Sequence, residues 1–84
     1  MKITLKKSAY KELLKIPLSQ REIIEKKTEL LTDNPFPTQV KKLSGRQCWR
    51  LRVGDYRILY TRDKESNTLT IISVLHRKEA YRKI

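Results

Sequence analysis

The sequence contains few of the residues on which metal, redox or triad chemistry depends. It has one cysteine, Cys48, and one histidine, His76. A single cysteine cannot form an internal disulfide, and it fits a reducing compartment. With no close group of carboxylates beside them, these two residues supply neither the ligands of a metal site nor a Ser-His-Asp triad. We therefore expect neither a metal nor another cofactor.

Glycine and long apolar runs are scarce too. The two glycines form no glycine-rich phosphate loop. The longest apolar-rich run, Leu69 to Leu75, is far shorter than the roughly 18 residues that a membrane helix needs. The segment after Met1 alternates and lacks the apolar core of a signal peptide. We therefore expect a cytoplasmic protein without a membrane partner.

Positive charge is what the sequence has in abundance. The 84 residues, enough for one small domain over residues 1–84, include 20 Lys and Arg against 9 Asp and Glu, a formal net charge of +11. Such a charge favours polyanionic partners: nucleic acid, the ribosome or an acidic protein. Nine of the ten cations in residues 1–43 are Lys, whereas seven of the ten in residues 44–84 are Arg. Because Arg binds phosphate through a planar fork, we expect specific phosphate contacts in the second half.

The segment from Trp49 to Tyr60, WRLRVGDYRILY, predicts a β-hairpin. Two alternating runs flank Gly54-Asp55, and glycine in the first loop position favours a type II′ turn because it reaches positive φ without steric cost. This turn places Val53 opposite Tyr56 and Trp49 opposite Tyr60. The apolar residues then share one face, which we expect to lie on the core. They are Trp49, Leu51, Val53, Tyr56, Ile58 and Tyr60.

The other face of this hairpin carries three arginines, with Leu59 beside them. Arg52 is predicted opposite Arg57, and Arg50 lies on the same face. Like charges directly across a ladder destabilise it, and a guanidinium does not lose its proton to relieve the repulsion. A bound anion is the simplest explanation of this face. A solvated outer face, on which Arg is common, is the alternative interpretation.

The first half of the chain predicts a short strand and a helical hairpin. Residues 2–6 alternate as a half-buried strand does. Ser8 is placed to cap a first helix that runs to about Lys15, before Pro17. Ser19 and Glu22 form the signature of a capping box for a second helix, which ends at Asp33-Asn34-Pro35.

The last strand completes an α+β architecture of one sheet and one helical layer. Thr68–His76 is rich in β-branched residues and predicts a central strand. With the hairpin it forms a three-stranded antiparallel meander, followed by a short helix or tail over residues 77–83. The pattern leaves open where the N-terminal strand joins the sheet.

The end of the last strand adds groups that can move protons. Histidine, here His76, can act as acid or base, and Tyr81 lies one helical turn after Arg77. With fixed guanidiniums to stabilise charge on phosphate, these groups suit attack of an RNA 2′-hydroxyl on the adjacent phosphate, which requires no metal. The alternative interpretations are a backbone-bonded His76, a surface cation at Arg77 and an aromatic lid at Tyr81.

Three segments resemble the RelE/ParE toxin superfamily, and specifically its RelE-like mRNA interferases. They are KKLSG at residues 41–45, WRLRVGDYRILY at 49–60 and ISVLHRKEAYR at 72–82, and the resemblance covers essentially the whole chain. It implies the RelE-like fold and the toxin of a type II toxin–antitoxin system. The implied activity is an endoribonuclease that cuts mRNA in the ribosomal A site through the 2′-hydroxyl, without metal, and so inhibits translation. The implied partners are the ribosome, mRNA and a cognate antitoxin, RelB-like or other and acidic, through whose complex the toxin reaches operator DNA.

The resemblance also implies roles for individual residues. The family's basic pair on the first hairpin strand falls on Arg50 and Arg52, its second-strand arginine on Arg57, its terminal arginine on Arg77 and its C-terminal tyrosine on Tyr81. Well-described members have lysines at the basic pair. Because Arg does not readily give up a proton, this pair should hold phosphate here, which leaves proton transfer to the histidine or the tyrosine. The predicted catalytic residues are therefore Arg50, Arg52, Arg57, His76, Arg77 and Tyr81.

Further cations are predicted to bind RNA or the ribosome. They are Lys41, Lys42, Arg46, Arg62, Lys78 and Arg82. Two alternative functions remain open at this point. A ParE-like gyrase inhibitor has the same fold but needs no phosphate-binding cluster on the sheet. A non-catalytic RNA- or ribosome-binding module needs the arginines but no group that transfers protons.

Overall fold

The structure is a computed structural model that describes residues 1–37, 40–43 and 48–78. Within these residues the chain forms two helices and a five-stranded sheet on the predicted α+β plan. The elements are β1 (Lys2–Leu5), α1 (Lys7–Leu14), α2 (Leu18–Glu29), a 3₁₀ turn (Leu30–Thr32), β2 (Val40–Lys42), β3 (Trp49–Val53), β4 (Tyr56–Asp63) and β5 (Thr68–His76). The described helices are too short and too polar to cross a membrane.

The sheet has the strand order β1-β5-β4-β3-β2. Strand β5 is central, as predicted, because β4 pairs with it antiparallel on one side and β1 parallel on the other. The predicted three-stranded antiparallel meander of β3, β4 and β5 is confirmed, and the structure adds a fourth strand to it, since Val40–Lys42 pairs antiparallel with β3. Three residues are too short a run to display the period of two that identifies a strand in a sequence. Of the predicted tail at 77–83, Arg77 and Lys78 are described and helical, and the rest lies outside the described residues.

Both helices begin one residue before the predicted caps. Helix α1 follows Lys6 and helix α2 follows Pro17, and no side chain caps either start, so the predicted caps at Ser8 and Ser19 are wrong. The Pro17 carbonyl accepts the Arg21 amide at 2.9 Å, while the proline has no N–H of its own to satisfy. The Lys6 amide is bonded to the Ile71 carbonyl at 2.9 Å, so β1 leads directly into α1.

The helices cover one face of the sheet through a stripe of residues four apart. Helix α1 buries Ala9 and Leu13, and α2 buries Ile24 and Thr28. The buried Thr28 hydroxyl donates to the Ile24 carbonyl at 2.7 Å, which satisfies its polar group inside the core. Ile23, the neighbour of Ile24 on α2, is 47% exposed.

The apolar face of the hairpin meets these helices. Leu51, Val53, Ile58 and Tyr60 are buried in the core cluster, and Trp49 and Tyr56 pack against it, which confirms the predicted core face. The Tyr60 hydroxyl donates to the Pro35 carbonyl at 2.5 Å. Burial, and to a lesser extent the electrostatic influence of Cys48, raises the pKa of Tyr60 from 10.0 to about 12.

The carboxylate of Glu12 joins α1 to the central strand β5. The register between β4 and β5 shifts at Leu59/Tyr60, where β5 carries an extra residue. Beyond the end of β1, Glu12 Oε1 accepts hydrogen bonds from the Ser73 hydroxyl at 3.0 Å and from the Val74 amide at 3.2 Å. Glu12 thus satisfies a strand amide that β1 does not reach and fixes α1 to β5.

Candidate functional site

The face of the sheet opposite the helices gathers four cations on neighbouring strands. The predicted register is confirmed, with Arg52 paired to Arg57 and Arg50 to Leu59. Strand β2 adds a fourth cation, because Lys41 pairs with Arg50 and paired residues share a face. We call these four residues, Lys41, Arg50, Arg52 and Arg57, the basic face. Sequence reasoning had no means to orient Lys41, since it did not recognise β2.

The hairpin turn holds one of these arginines in place. Gly54 has φ +58°, whereas Asp55 does not reach positive φ, which agrees with a type II′ turn and not with type I′. The Arg57 guanidinium folds back on this turn, and its Nη1 donates to the carbonyls of Gly54 at 3.3 Å and Tyr56 at 3.1 Å. Both acceptors are backbone atoms, so the side-chain identities in the sequence give no signal of these bonds.

The same turn positions the start of the C-terminal segment. The Arg77 amide donates to the Asp55 carbonyl at 2.7 Å, and the Arg77 side chain is exposed. The two carbonyls of the turn therefore anchor Arg57 by its guanidinium and Arg77 by its backbone. The structure thus brings together, around one turn, two of the residues predicted to bind phosphate.

Burial and charge distinguish Arg57 from an ordinary surface arginine. It is 6% exposed, whereas Arg52 across the ladder is exposed and Arg50 is half-buried. Throughout the described residues, no carboxylate forms an ion pair with any member of the basic face. A buried guanidinium that is bonded only to two neutral carbonyls keeps its full positive charge in a site of reduced polarity. An anion placed there gains more from the interaction than it would in water.

His76 lies on the other side of the sheet. It pairs with Tyr56, and the two rings contact edge to face with centroids 5.5 Å apart. Tyr56 packs against the helix-covered core, whereas its neighbour Arg57 belongs to the basic face. The Nδ1 atom of His76 also accepts the Lys78 amide at 3.4 Å. The structure therefore does not bring His76 together with the four cations.

The other described cations that were predicted to bind RNA or the ribosome lie in two separate parts of the structure. Lys42 and Arg62 lie at the far end of the hairpin from the turn, where Lys42 Nζ is 5.7 Å from the Trp49 ring and Arg62 Cζ is 5.8 Å from the Phe36 ring. Lys78 is exposed beside Arg77. Arg46, Tyr81 and Arg82 lie outside the described residues, so their roles stay predictions.

The sequence places this chain in a toxin family. The family model described as ParE toxin of type II toxin-antitoxin system, parDE, matches residues 3–81. The chain therefore belongs to the RelE/ParE superfamily of type II toxin–antitoxin toxins. Among curated proteins, none matches.

Solved structures with the same fold include several RelE toxins. The Mycobacterium tuberculosis RelBE2 complex matches with 28% identity and a TM-score of 0.78, over 90% of this chain and 96% of that chain. The RelB–RelE complex of Methanococcus jannaschii matches with 27% identity and a TM-score of 0.78, over 96% and 98%. The intact Escherichia coli RelBE complex matches with 26% identity and a TM-score of 0.77, over 87% and 92%. These similarities confirm the predicted RelE-like fold.

Proposed function

We propose that this toxin is an endoribonuclease that cuts mRNA in the ribosomal A site and thereby inhibits translation. The observation that carries the proposal is the basic face, where Arg57 is buried and has no carboxylate partner within residues 1–37, 40–43 and 48–78. A surface that only needed to be soluble would not bury a guanidinium opposite a second arginine, since both burial and the like-charge pair destabilise the fold. A phosphate bound between the arginines compensates both effects.

The proposed reaction uses this charge directly. The 2′-oxygen of one nucleotide attacks the adjacent phosphorus, the new O2′–P bond forms, and the P–O5′ bond breaks. Arg52 and Arg57 hold the phosphate and stabilise the extra negative charge that develops on its oxygens, with Arg50 and Arg77 beside them. The 2′-hydroxyl loses a proton and the leaving 5′-oxygen gains one, so the products are a 2′,3′-cyclic phosphate and a 5′-hydroxyl.

Proton transfer is assigned to Tyr81 in preference to His76. An arginine does not readily give up a proton, so the basic face does not supply the base. His76 packs on Tyr56, on the helix-covered side of the sheet. Tyr81→Phe should therefore slow cleavage by about 10²–10⁴-fold, the usual contribution of a general acid or base. A Tyr81→Phe variant that inhibits translation at the wild-type level would instead favour the non-catalytic RNA- or ribosome-binding module.

The proposed partners follow from charge and from the related structures. The solved complexes that match this chain pair a RelE toxin with a RelB antitoxin. We infer that this toxin has a cognate antitoxin as well, RelB-like or of another family. A net charge of +11 favours an acidic one. Operator DNA would be bound only through the toxin–antitoxin complex.

The direct test is the position and end chemistry of cuts in mRNA on programmed ribosomes. Purified protein should cut at the A-site codon and leave a 2′,3′-cyclic phosphate. Lys64→Gln, which removes one exposed cation from the turn between β4 and β5, is the matched control and should cut at the wild-type rate. Intact mRNA after prolonged incubation with active, folded protein would contradict the proposal.

A second candidate is inhibition of DNA gyrase. It is favoured by one observation, the match of residues 3–81 to the family model described as ParE toxin. Gyrase inhibition does not explain why the sheet carries cations that lack carboxylate partners in the described ranges of the chain, which is why we rank it second. A gyrase supercoiling assay run beside the mRNA assay separates the two functions: loss of supercoiling with uncut mRNA would establish the second candidate.

A further inference from the structure

A cavity lies between the end of α2 and strand β3. Its volume is about 350 Å³, within the about 300–1,000 Å³ range of small-molecule pockets. Its floor is formed by Leu31 and Leu51, which are 1% and 4% exposed. Leu30 at its rim is 58% exposed. A flat apolar group that entered the cavity would cover both the floor and this rim.

Cations flank the apolar floor. Lys27 of α2 and Arg52 of β3 both line the cavity. Asp33 lines it as well, yet no ion pair joins Asp33 to Lys27 or Arg52 in the structure as described. The cavity therefore offers unpaired positive charge together with a carboxylate whose oxygens are available as acceptors.

Asn34 supplies a donor of fixed orientation. Its Oδ1 accepts the Phe36 amide at 3.2 Å, in a turn that the asparagine closes on its own backbone. Because Oδ1 is used in this bond, the Nδ2 amino group is the part of Asn34 that is left to contact a ligand. An acceptor at Asp33 and a donor at Asn34 thus stand next to each other along the chain and line the same cavity.

Arg52 connects this cavity to the basic face. By register its side chain belongs to the basic face, on the side of the strand opposite the floor residue Leu51, and the residue also lines the cavity, so Arg52 stands at the border between the two. A strand of RNA whose phosphate lies at Arg52 would therefore place a neighbouring nucleotide at the mouth of the cavity. The apolar floor suits a base, Lys27 and Arg52 suit its phosphate, and the Asp33–Asn34 pair suits the polar edge of the base.

We propose that the cavity binds one nucleotide of the RNA strand and prefers a base that carries an amino group. The proposal rests on the proposed RNA-cleaving function, because it takes the ligand of the basic face to be RNA. Adenine, cytosine and guanine each present an exocyclic amine that can donate to the Asp33 carboxylate. Uracil presents two carbonyl oxygens around its one N–H, and these repel a carboxylate. Uracil is therefore the base that the cavity binds most weakly.

Titration of the ¹⁵N-labelled protein with AMP, CMP, GMP and UMP tests this directly. The amide signals of Leu30, Asp33, Asn34 and Arg52 should move with the three amino-bearing nucleotides, and UMP should bind about tenfold more weakly. Inorganic phosphate alone should shift signals of the basic face without those of Leu30 and Asn34. These probes need no cleavage, so the result does not depend on activity.

Two pairs of variants separate recognition from charge. Asp33→Asn should bring the affinity for UMP to within about twofold of the affinities for the other nucleotides, because the amide no longer repels carbonyl oxygens. Glu65→Gln removes the same charge from a distant exposed turn and should leave the preference intact. Lys27→Gln should weaken the binding of all four nucleotides about equally. Lys26→Gln, on the same helix but outside the cavity lining, should leave their binding unchanged.

The outcomes distinguish this inference from the proposed function. Equal binding of all four nucleotides, or no shift at Leu30 and Asn34, would overturn the nucleotide cavity even if ribosomal mRNA is cut. Base-dependent binding without any mRNA cleavage would overturn the nuclease and leave the cavity in place. Shifts at Leu30 and Asn34 with an acidic peptide and with none of the four nucleotides would mark the cavity as a protein-docking site and overturn the proposal.

Discussion

Arg57 and Ile58 are neighbours in β4, yet they lie on opposite faces of the sheet and have different roles. Ile58 is fully buried among the helix-covered apolar residues. Arg57 is nearly as buried, but in the part of the chain that the structure describes its guanidinium bonds to two backbone carbonyls and faces a second arginine across the ladder. The apolar side chains of the helix-covered face thus pack against one another, whereas the charge of Arg57 has no carboxylate partner among the described residues. Stability should depend mainly on the first face and activity on the second.

Replacement of Arg57 should produce the largest effect. Arg57→Gln removes the buried positive charge, and we expect the rate of mRNA cleavage on ribosomes to fall by about 10²–10³-fold, as loss of one charge-stabilising donor does elsewhere. The free energy of unfolding should change by no more than about 1 kcal/mol, because the lost hydrogen bonds are offset by relief of the repulsion with Arg52. Urea denaturation measures this second quantity. A large loss of stability would show that Arg57 belongs to the fold and not to the site.

Replacement of Ile58 should give the converse result. Ile58→Ala leaves a cavity in the core and should lower the free energy of unfolding by about 2–5 kcal/mol. The cleavage rate of the folded fraction, measured well below the unfolding midpoint, should stay close to wild type. Leu59→Ala, one residue on and half-buried on the basic-face side, is the control and should destabilise less. Equal losses at both positions would mean that the two faces contribute equally to stability.

The sequence predicted the hairpin better than the features around it. Alternation of side chains and a glycine at the turn determine the register of a hairpin, so the pairs from Trp49–Tyr60 to Val53–Tyr56 are as predicted. The helix starts at Lys7 and Leu18 are set by backbone contacts, such as the Lys6 amide on the Ile71 carbonyl, which the residue types nearby do not reveal.

The candidate site could be predicted only in part, for the same reason. The shared face of Arg50, Arg52 and Arg57 follows from local alternation alone. The position of Lys41 depends on β2, a strand of three residues, and the anchors of Arg57 and Arg77 are backbone carbonyls of the turn. His76 was grouped with the arginines by its place in the chain, but its ladder partner Tyr56 assigns it to the other face. Contacts between distant segments decide these positions, and local pattern does not encode them.

Tyr60 offers a smaller and pH-dependent test of the helix-covered face. Its pKa is raised from 10.0 to about 12, so the stability that depends on the neutral phenol is complete below pH 10 and is lost as the pH rises through about 12. Tyr60→Phe should cost about 0.5–1.5 kcal/mol at neutral pH through the lost hydrogen bond to Pro35. The variant should also lose less stability than wild type between pH 10 and 12. Tyr10→Phe, at a side chain that is 53% exposed, is the control. Its stability should match that of wild type both at neutral pH and between pH 10 and 12.

The smallest expected effect is at His76, and it is the sharpest test of the division between the faces. The His76 ring lies against Tyr56 on the helix-covered side, and its Nδ1 is already an acceptor for the Lys78 amide. His76→Gln should therefore change the cleavage rate by less than about twofold, against the 10²–10⁴-fold loss that follows removal of a general acid or base.

The pH dependence of cleavage decides between the two assignments of the proton transfer. A histidine that serves as acid or base generally gives the pH–rate profile a limb near neutrality, so if His76 had this role, His76→Gln would abolish that limb together with most of the rate. If Tyr81 serves, the profile of His76→Gln should coincide with that of wild type, while Tyr81→Phe is slow at every pH. A slow His76→Gln variant without its neutral limb would place the histidine at the scissile phosphate. Residues from both faces of the sheet would then take part in the cleavage reaction, which we assign to the basic face.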